Sequence, residues 1–112
     1  MSKHDDMVRL RHMLEHAREA VALIQDKNRP DLEGSRLHTL ALIRLIEIVG
    51  EAASRVSKAR QRQHPQILWP QIIGMRNRLI HGYWSVDLLL VWNVIESDLP
   101  TLKAEVERLI AN

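Results

Sequence analysis

The chain has 112 residues, a formal charge of +2 and no cysteine. That length suits a single domain, 1–112, with a real core, and the missing cysteines exclude disulfides and thiolate metal sites, making the cell interior the default. Its aromatic residues are three Trp and one Tyr, with no Phe, so the core has to be Leu, Ile, Val and Ala, which suits packed helices better than a sheet sandwich. No uninterrupted apolar run approaches the roughly 18 residues of a membrane span. The opening Met-Ser-Lys-His-Asp-Asp also lacks the layout of a signal peptide. The expectation is a cytoplasmic chain with no membrane partner.

In chain order, Asp5 and Asp6 stand where a helix cap belongs. Met7, Leu10, Leu14, Ala17, Val21 and Ile24 then recur at three and four residues, the stripe of a first amphipathic helix. Asp26 to Pro30 breaks it. From Leu32 or Ser35 to about Lys58 runs the longest helix, apolar around most of its circumference, which requires neighbours on several sides or a second subunit. Gly50 weakens that helix by roughly 1 kcal/mol relative to Ala, so it predicts close approach of another backbone, with Ala52 and Ala53 beside it. Arg44, Glu47 and Glu51 are spaced for ion pairing; paired catalytic carboxylates are the rival reading of the two glutamates.

Residues 58–66 are polar and basic and read either as a solvated helix end and loop or as part of a polyanion path. Trp69-Pro70 opens a third helix with proline at its first turn, and Gly82 falls where that helix stops. Ser85 or Asp87 caps a fourth, through Leu88, Val91, Trp92 and Ile95. Pro100 kinks it or starts a fifth, through Leu102, Val106, Leu109 and Ile110. The fold expected from these elements is all-α, a helical bundle of four to five helices.

The stretch Met75 to Tyr83 departs from generic helix. Arg76, Asn77, Arg78, His81 and the only Tyr of the chain, Tyr83, fall within it. Arginine is a permanent cation whose fork fits phosphate oxygens, and histidine both gives and takes a proton near neutral pH. On a straight helix Arg76 and His81 lie about 140° apart, so they converge only where the helix unwinds near His81, which Gly82 permits. A helix-end histidine can also serve only the last carbonyls. The histidines are scattered; only His12 and His16 have helical i+4 ligand spacing, without a His-Glu-x-x-His context. No metal site and no cofactor are expected, and no phosphate-binding glycine loop is present.

At Arg76-Asn-Arg-Leu-Ile-His81-Gly-Tyr83 the sequence resembles the HEPN superfamily and, within it, the HepT-like toxins of prokaryotic toxin–antitoxin pairs, whose motif is Arg, four to six residues, His, one residue, Tyr. The likeness continues through Arg44 to Ala53, Trp69 to Met75, Val86-Asp87, Val91-Trp92 and Asp98 to Pro100. The resemblance implies an all-α up-and-down helical bundle that is dimeric, with the motifs of both copies lining one cleft, and a metal-independent endoribonuclease. It makes Arg76 and His81 catalytic. Asn77 and Arg78 then orient or hold substrate. It also implies a nucleotidyltransferase antitoxin of the minimal (MNT) type that transfers AMP to Tyr83. The rival is a non-catalytic HEPN helical module that uses the same cationic cleft to bind a nucleotide or a partner protein.

Overall fold

A computed structural model describes residues 3–81 and 85–111. The described chain is an all-α bundle carried by three long helices, α1 (Lys3–Leu23), α3 (Arg36–Ser54) and α8 (Leu99–Ala111). Five short helices complete it: α2 (Arg29–Glu33), α4 (Lys58–Gln63), α5 (Trp69–Ile73), α6 (Met75–Leu79) and α7 (Leu88–Asn93). Helix α1 packs most extensively on α3 and next on α8, and α3 also carries α5 and α6. The long second helix therefore has the several neighbours its composition requires.

Helix α1 buries Leu10, Met13, Leu14, Ala17 and Ala20, while Val21 and Ile24 stay only partly covered. Against it stand Leu42, Ile46 and Val49 of α3 and Leu99 and Val106 of α8, all essentially without exposed surface. Asp5 and Asp6 are not caps, because the chain is already helical at Lys3. Asp6 is buried and accepts the Ser57 backbone N–H at 2.9 Å and its hydroxyl at 2.6 Å. Burial pushes the Asp6 carboxyl up, but these two hydrogen bonds, with Arg60 adding, outweigh it and hold the group below its usual range. Ser57 in turn caps α4 by accepting from the Arg60 N–H.

The long helix ends at Ser54, earlier than expected, and the basic stretch after it starts a separate short helix, α4, rather than finishing the long one. Two buried polar side chains explain the break. Gln61 donates to the Ala53 carbonyl in the last turn of α3 (3.4 Å) and to that of Val56 just past its end (3.0 Å), satisfying acceptors that a helix end leaves open. The indole N–H of Trp69 is shared between the carbonyls of Gln61 and His64, each at 3.1 Å. Pro70 then sits in the first turn of α5, as the sequence predicts.

The fourth and fifth expected helices are one rod. Asp87 caps α7 by accepting from the Leu90 N–H. The turn Val94–Asp98 is π-helical before α8 begins. Pro100 has no N–H to donate and its ring crowds the carbonyl four residues back, so the turn ahead of it widens. Its Leu99 N–H reaches back five residues to Val94.

Candidate active site

The site begins at Gly50. A β-carbon there would lie 2.9 Å from the Ile72 carbonyl oxygen and 3.2 Å from that of Ile73, so glycine is what lets α5 lie directly on α3. This is the close backbone approach the sequence predicts. Gly74 then separates α5 from α6. In α6, Met75 and Leu79 are buried at 1% exposure each. With those two anchors one turn apart, Arg76, Asn77 and Arg78 are left at the surface.

Arg76 turns toward α3. Its Nε donates to Glu47 Oε2 at 2.6 Å, and the other carboxylate oxygen of Glu47 accepts from Arg44 Nη1 at 2.7 Å. Arg44 holds the Glu47 carboxyl below its usual range through that hydrogen bond, against the opposing effect of burial and with Arg76 adding. Such partly exposed pairs contribute roughly 0.2–1 kcal/mol each, too little to define the fold. What they fix is orientation. Glu47 meets the inner nitrogen of the guanidinium, and no hydrogen bond from the two terminal nitrogens of Arg76 is found among the described residues. A guanidinium held this way presents its outer fork to a phosphate.

Helix α6 stops at Leu79, and Ile80–His81 form a short strand, β1, paired antiparallel with β2 (Ser85–Val86). The Asp87 N–H closes the base of the hairpin on the Leu79 carbonyl at 2.8 Å. The helix thus ends before His81, as convergence with Arg76 requires, but the backbone there is extended strand rather than a frayed helical turn. The His81 side chain lies outside the described residues, as do Gly82 and Tyr83, the expected stop and modification site. Asn77 is exposed, and no hydrogen bond holds its side chain among the described residues. Arg78 faces away from Arg76, into a groove edged by Asp98 and Glu105.

Glu47 is the site residue whose role sequence reasoning reads only in part. Its partner Arg44 is the expected one, and ion pairing rather than a catalytic carboxylate pair is what the two glutamates do. Glu51 pairs with Arg55, at 3.6 Å. The link from Glu47 to Arg76 is missed by helical spacing, although a signal exists: Glu47 precedes Gly50 by one turn, so whatever packs on Gly50 must lie beside it. His16 Nδ1 donates to the His12 carbonyl at 2.7 Å, and the two rings stand edge to face with centroids 6.3 Å apart. No trio of His, Asp and Glu placed to hold a metal occurs among the described residues.

A helical bundle presenting an arginine–histidine segment at a helix-to-strand junction is the architecture of a small HEPN-type domain. The ribonuclease HepT-like family matches residues 7–109, and the chain belongs to that family. It is 33% identical over 107 residues to a protein of Methanocaldococcus jannaschii whose name marks it as a candidate RNase, covering 96% of this chain and 98% of that one. It is 36% identical over 100 residues to a protein of Thermococcus cleftensis named a probable ribonuclease HepT, covering 86% and 91%. A third relative from Methanocaldococcus jannaschii, 33% identical over 108 residues, is named as both a gamma-glutamylcyclotransferase and a candidate RNase; the match covers 96% of this chain and 49% of that protein. No solved structure matches the chain.

Proposed function

We propose that this chain is a metal-independent endoribonuclease, the toxin of a toxin–antitoxin pair, acting in a cleft shared by two copies. The observation that supports it most is Arg76 held by Glu47 with its outer nitrogens unpaired among the described residues, in a member of the ribonuclease HepT-like family. His81 takes the proton of a ribose 2′-hydroxyl, and the oxygen attacks the adjacent phosphorus. Arg76 stabilises the charge that builds on the phosphoryl oxygens. The 5′-oxygen leaves with a proton from a second acid, for which the partner copy's histidine at the same position is the candidate, and a 2′,3′-cyclic phosphate remains. The nucleophile belongs to the substrate and the charge is met by a guanidinium, so no metal is needed. Asn77 orients His81 or a phosphate oxygen, and Arg78, turned away from Arg76, is left to hold a backbone phosphate outside the reacting linkage.

Dimerisation is supported by leucines left in water. Leu37 is 77% exposed on α3 and Leu89 50% on α7, with Leu40 and Leu90 beside them in sequence; α2 packs on both helices, and α3 touches α7. Exposed apolar surface of this kind marks an interaction face. Control is assigned to a nucleotidyltransferase antitoxin of the MNT type acting on Tyr83. AMP joined there would place a phosphodiester and a base next to the segment that binds substrate phosphate.

One experiment tests the reading. The purified chain is expected to cleave single-stranded RNA in EDTA at its full rate, leaving cyclic phosphate ends. After co-expression with the antitoxin its intact mass should rise by AMP units, absent in Tyr83→Phe, and cleavage should cease. Cleavage that requires added metal overturns the mechanism. Neutralisation without added mass overturns the AMP step and leaves occlusion as the control.

A further inference from the structure

A second cationic feature lies outside the Arg76 segment. Arg9 and His12 of α1 and Arg44 and Arg55, carried by α3 and the residue that caps it, line one groove over Ala52. Arg44 and Arg55 are eleven residues apart, so the basic run extends about 16 Å along the axis of α3. One carboxylate, Glu51, lines it and a second, Glu47, adjoins it through Arg44, and both are weakly placed to neutralise it. Glu47 is already divided between Arg44 and Arg76, and Glu51 meets Arg55 only at 3.6 Å. Counted together with the adjoining site, Arg9, Arg44, Arg55 and Arg76 stand against Glu47 and Glu51, an excess of two positive charges.

Arg9 is the informative residue. Its Nε is shielded from solvent and has no hydrogen-bond partner among the described residues. A guanidinium N–H removed from water without an acceptor is unfavourable, and Arg9 lines the groove that an anion would enter. The groove is also continuous with the candidate active site, because Arg44 lines it while hydrogen-bonded to the glutamate that holds Arg76. A polyanion whose reacting phosphate lies on Arg76 would pass its next phosphates along this face of α3.

We propose that the α1–α3 groove is a phosphate subsite, holding a backbone phosphate of the RNA strand outside the linkage that is cut. This rests on the ribonuclease reading above, and the test separates the two. Single-stranded DNA of the same sequence as a cleavable RNA lacks the 2′-hydroxyl, so it reports binding without reaction. Its affinity is measured against salt for the full-length chain and for Arg9→Met and Arg55→Met, which keep the apolar stem and remove the charge. Arg29→Met, whose charge pairs with Glu33 away from the groove, controls for net charge.

Each groove variant is expected to bind several-fold more weakly, with the slope of log affinity against log salt reduced by about 0.7 for each phosphate that is no longer neutralised, while Arg29→Met matches the wild type. On RNA the same variants should raise KM for long substrates and leave cleavage of a dinucleotide, which has only the reacting phosphate, unchanged. Unaltered affinity and slope in both groove variants overturn the subsite. So does an equal loss of affinity in Arg29→Met, or a loss confined to binding of a protein partner. A chain that shows the slope change but never cleaves RNA keeps the subsite and loses the ribonuclease mechanism.

Discussion

Among single residues, the one that sets up the site is a carboxylate that does no chemistry. Glu47 joins Arg44 to Arg76 through distances of 2.7 and 2.6 Å, and it is a positioning residue for the guanidinium. Glu47→Gln keeps the volume and one acceptor but removes the charge. Its helical content should match the wild type, while kcat for RNA cleavage falls roughly 10–100-fold, the scale of a small misplacement of a catalytic group. An unchanged kcat would remove Glu47 from the site. The pH dependence has a definite sign. The folded carboxyl titrates below its ordinary value of 4.5, so its contribution to stability is complete above that value and is lost as pH falls through the lowered one. The difference in Tm between wild type and Glu47→Gln should hold constant from neutral pH down to that range and shrink only in stronger acid.

Among the helices, the packing at Gly50 decides where the site stands. Gly50→Ala gains about 1 kcal/mol in helix propensity, yet its methyl carbon would meet the Ile72 carbonyl oxygen at 2.9 Å, and overpacking of that kind costs about 1–3 kcal/mol. Chemical denaturation should show a net loss of stability. Cleavage should fall further than the stability loss accounts for, because α5 and α6 shift relative to Glu47. A more stable Gly50→Ala would mean that α5 does not press on α3 at this point. The glycine was legible in the sequence because nothing else justifies it in an apolar helix. So were the stripe of α1, the start of α5 at Pro70 and the Asp87 cap, each set by interactions a few residues apart. What was not legible depends on groups distant in sequence. The early end of α3 requires Gln61 to reach back to it, Asp6 is a partner of Ser57 rather than a cap, and Arg76 finds Glu47 only once α5 is seated. The π-helical turn before Pro100 had a local cause, but proline announces an interruption without saying which kind.

Taken as a body, the described chain measures 43 × 30 × 20 Å, and α3 contributes to two kinds of surface. Its first turns carry exposed leucines, and from its middle onward Arg44, Glu47 and the capping Arg55 face the site and the groove. The apolar half is the face proposed for the second copy. Light scattering should give a dimer at micromolar concentration, and Leu37→Glu, at a position 77% exposed, should convert it to a monomer that keeps its helical content. A monomeric wild type would contradict the shared cleft and the use of a second His81.

The proposed chemistry requires that Arg76 and His81 act on RNA. The direct measurement is the cleavage rate of end-labelled RNA, in EDTA, by wild type, Arg76→Ala and His81→Ala, each checked for retained helix content by circular dichroism. Both variants are expected to stay folded, with the rate of His81→Ala reduced roughly 10²–10⁴-fold, the usual contribution of a general acid or base, and that of Arg76→Ala by a comparable factor. Folded His81→Ala that cleaves at the wild-type rate, free of contaminating nuclease, would contradict it.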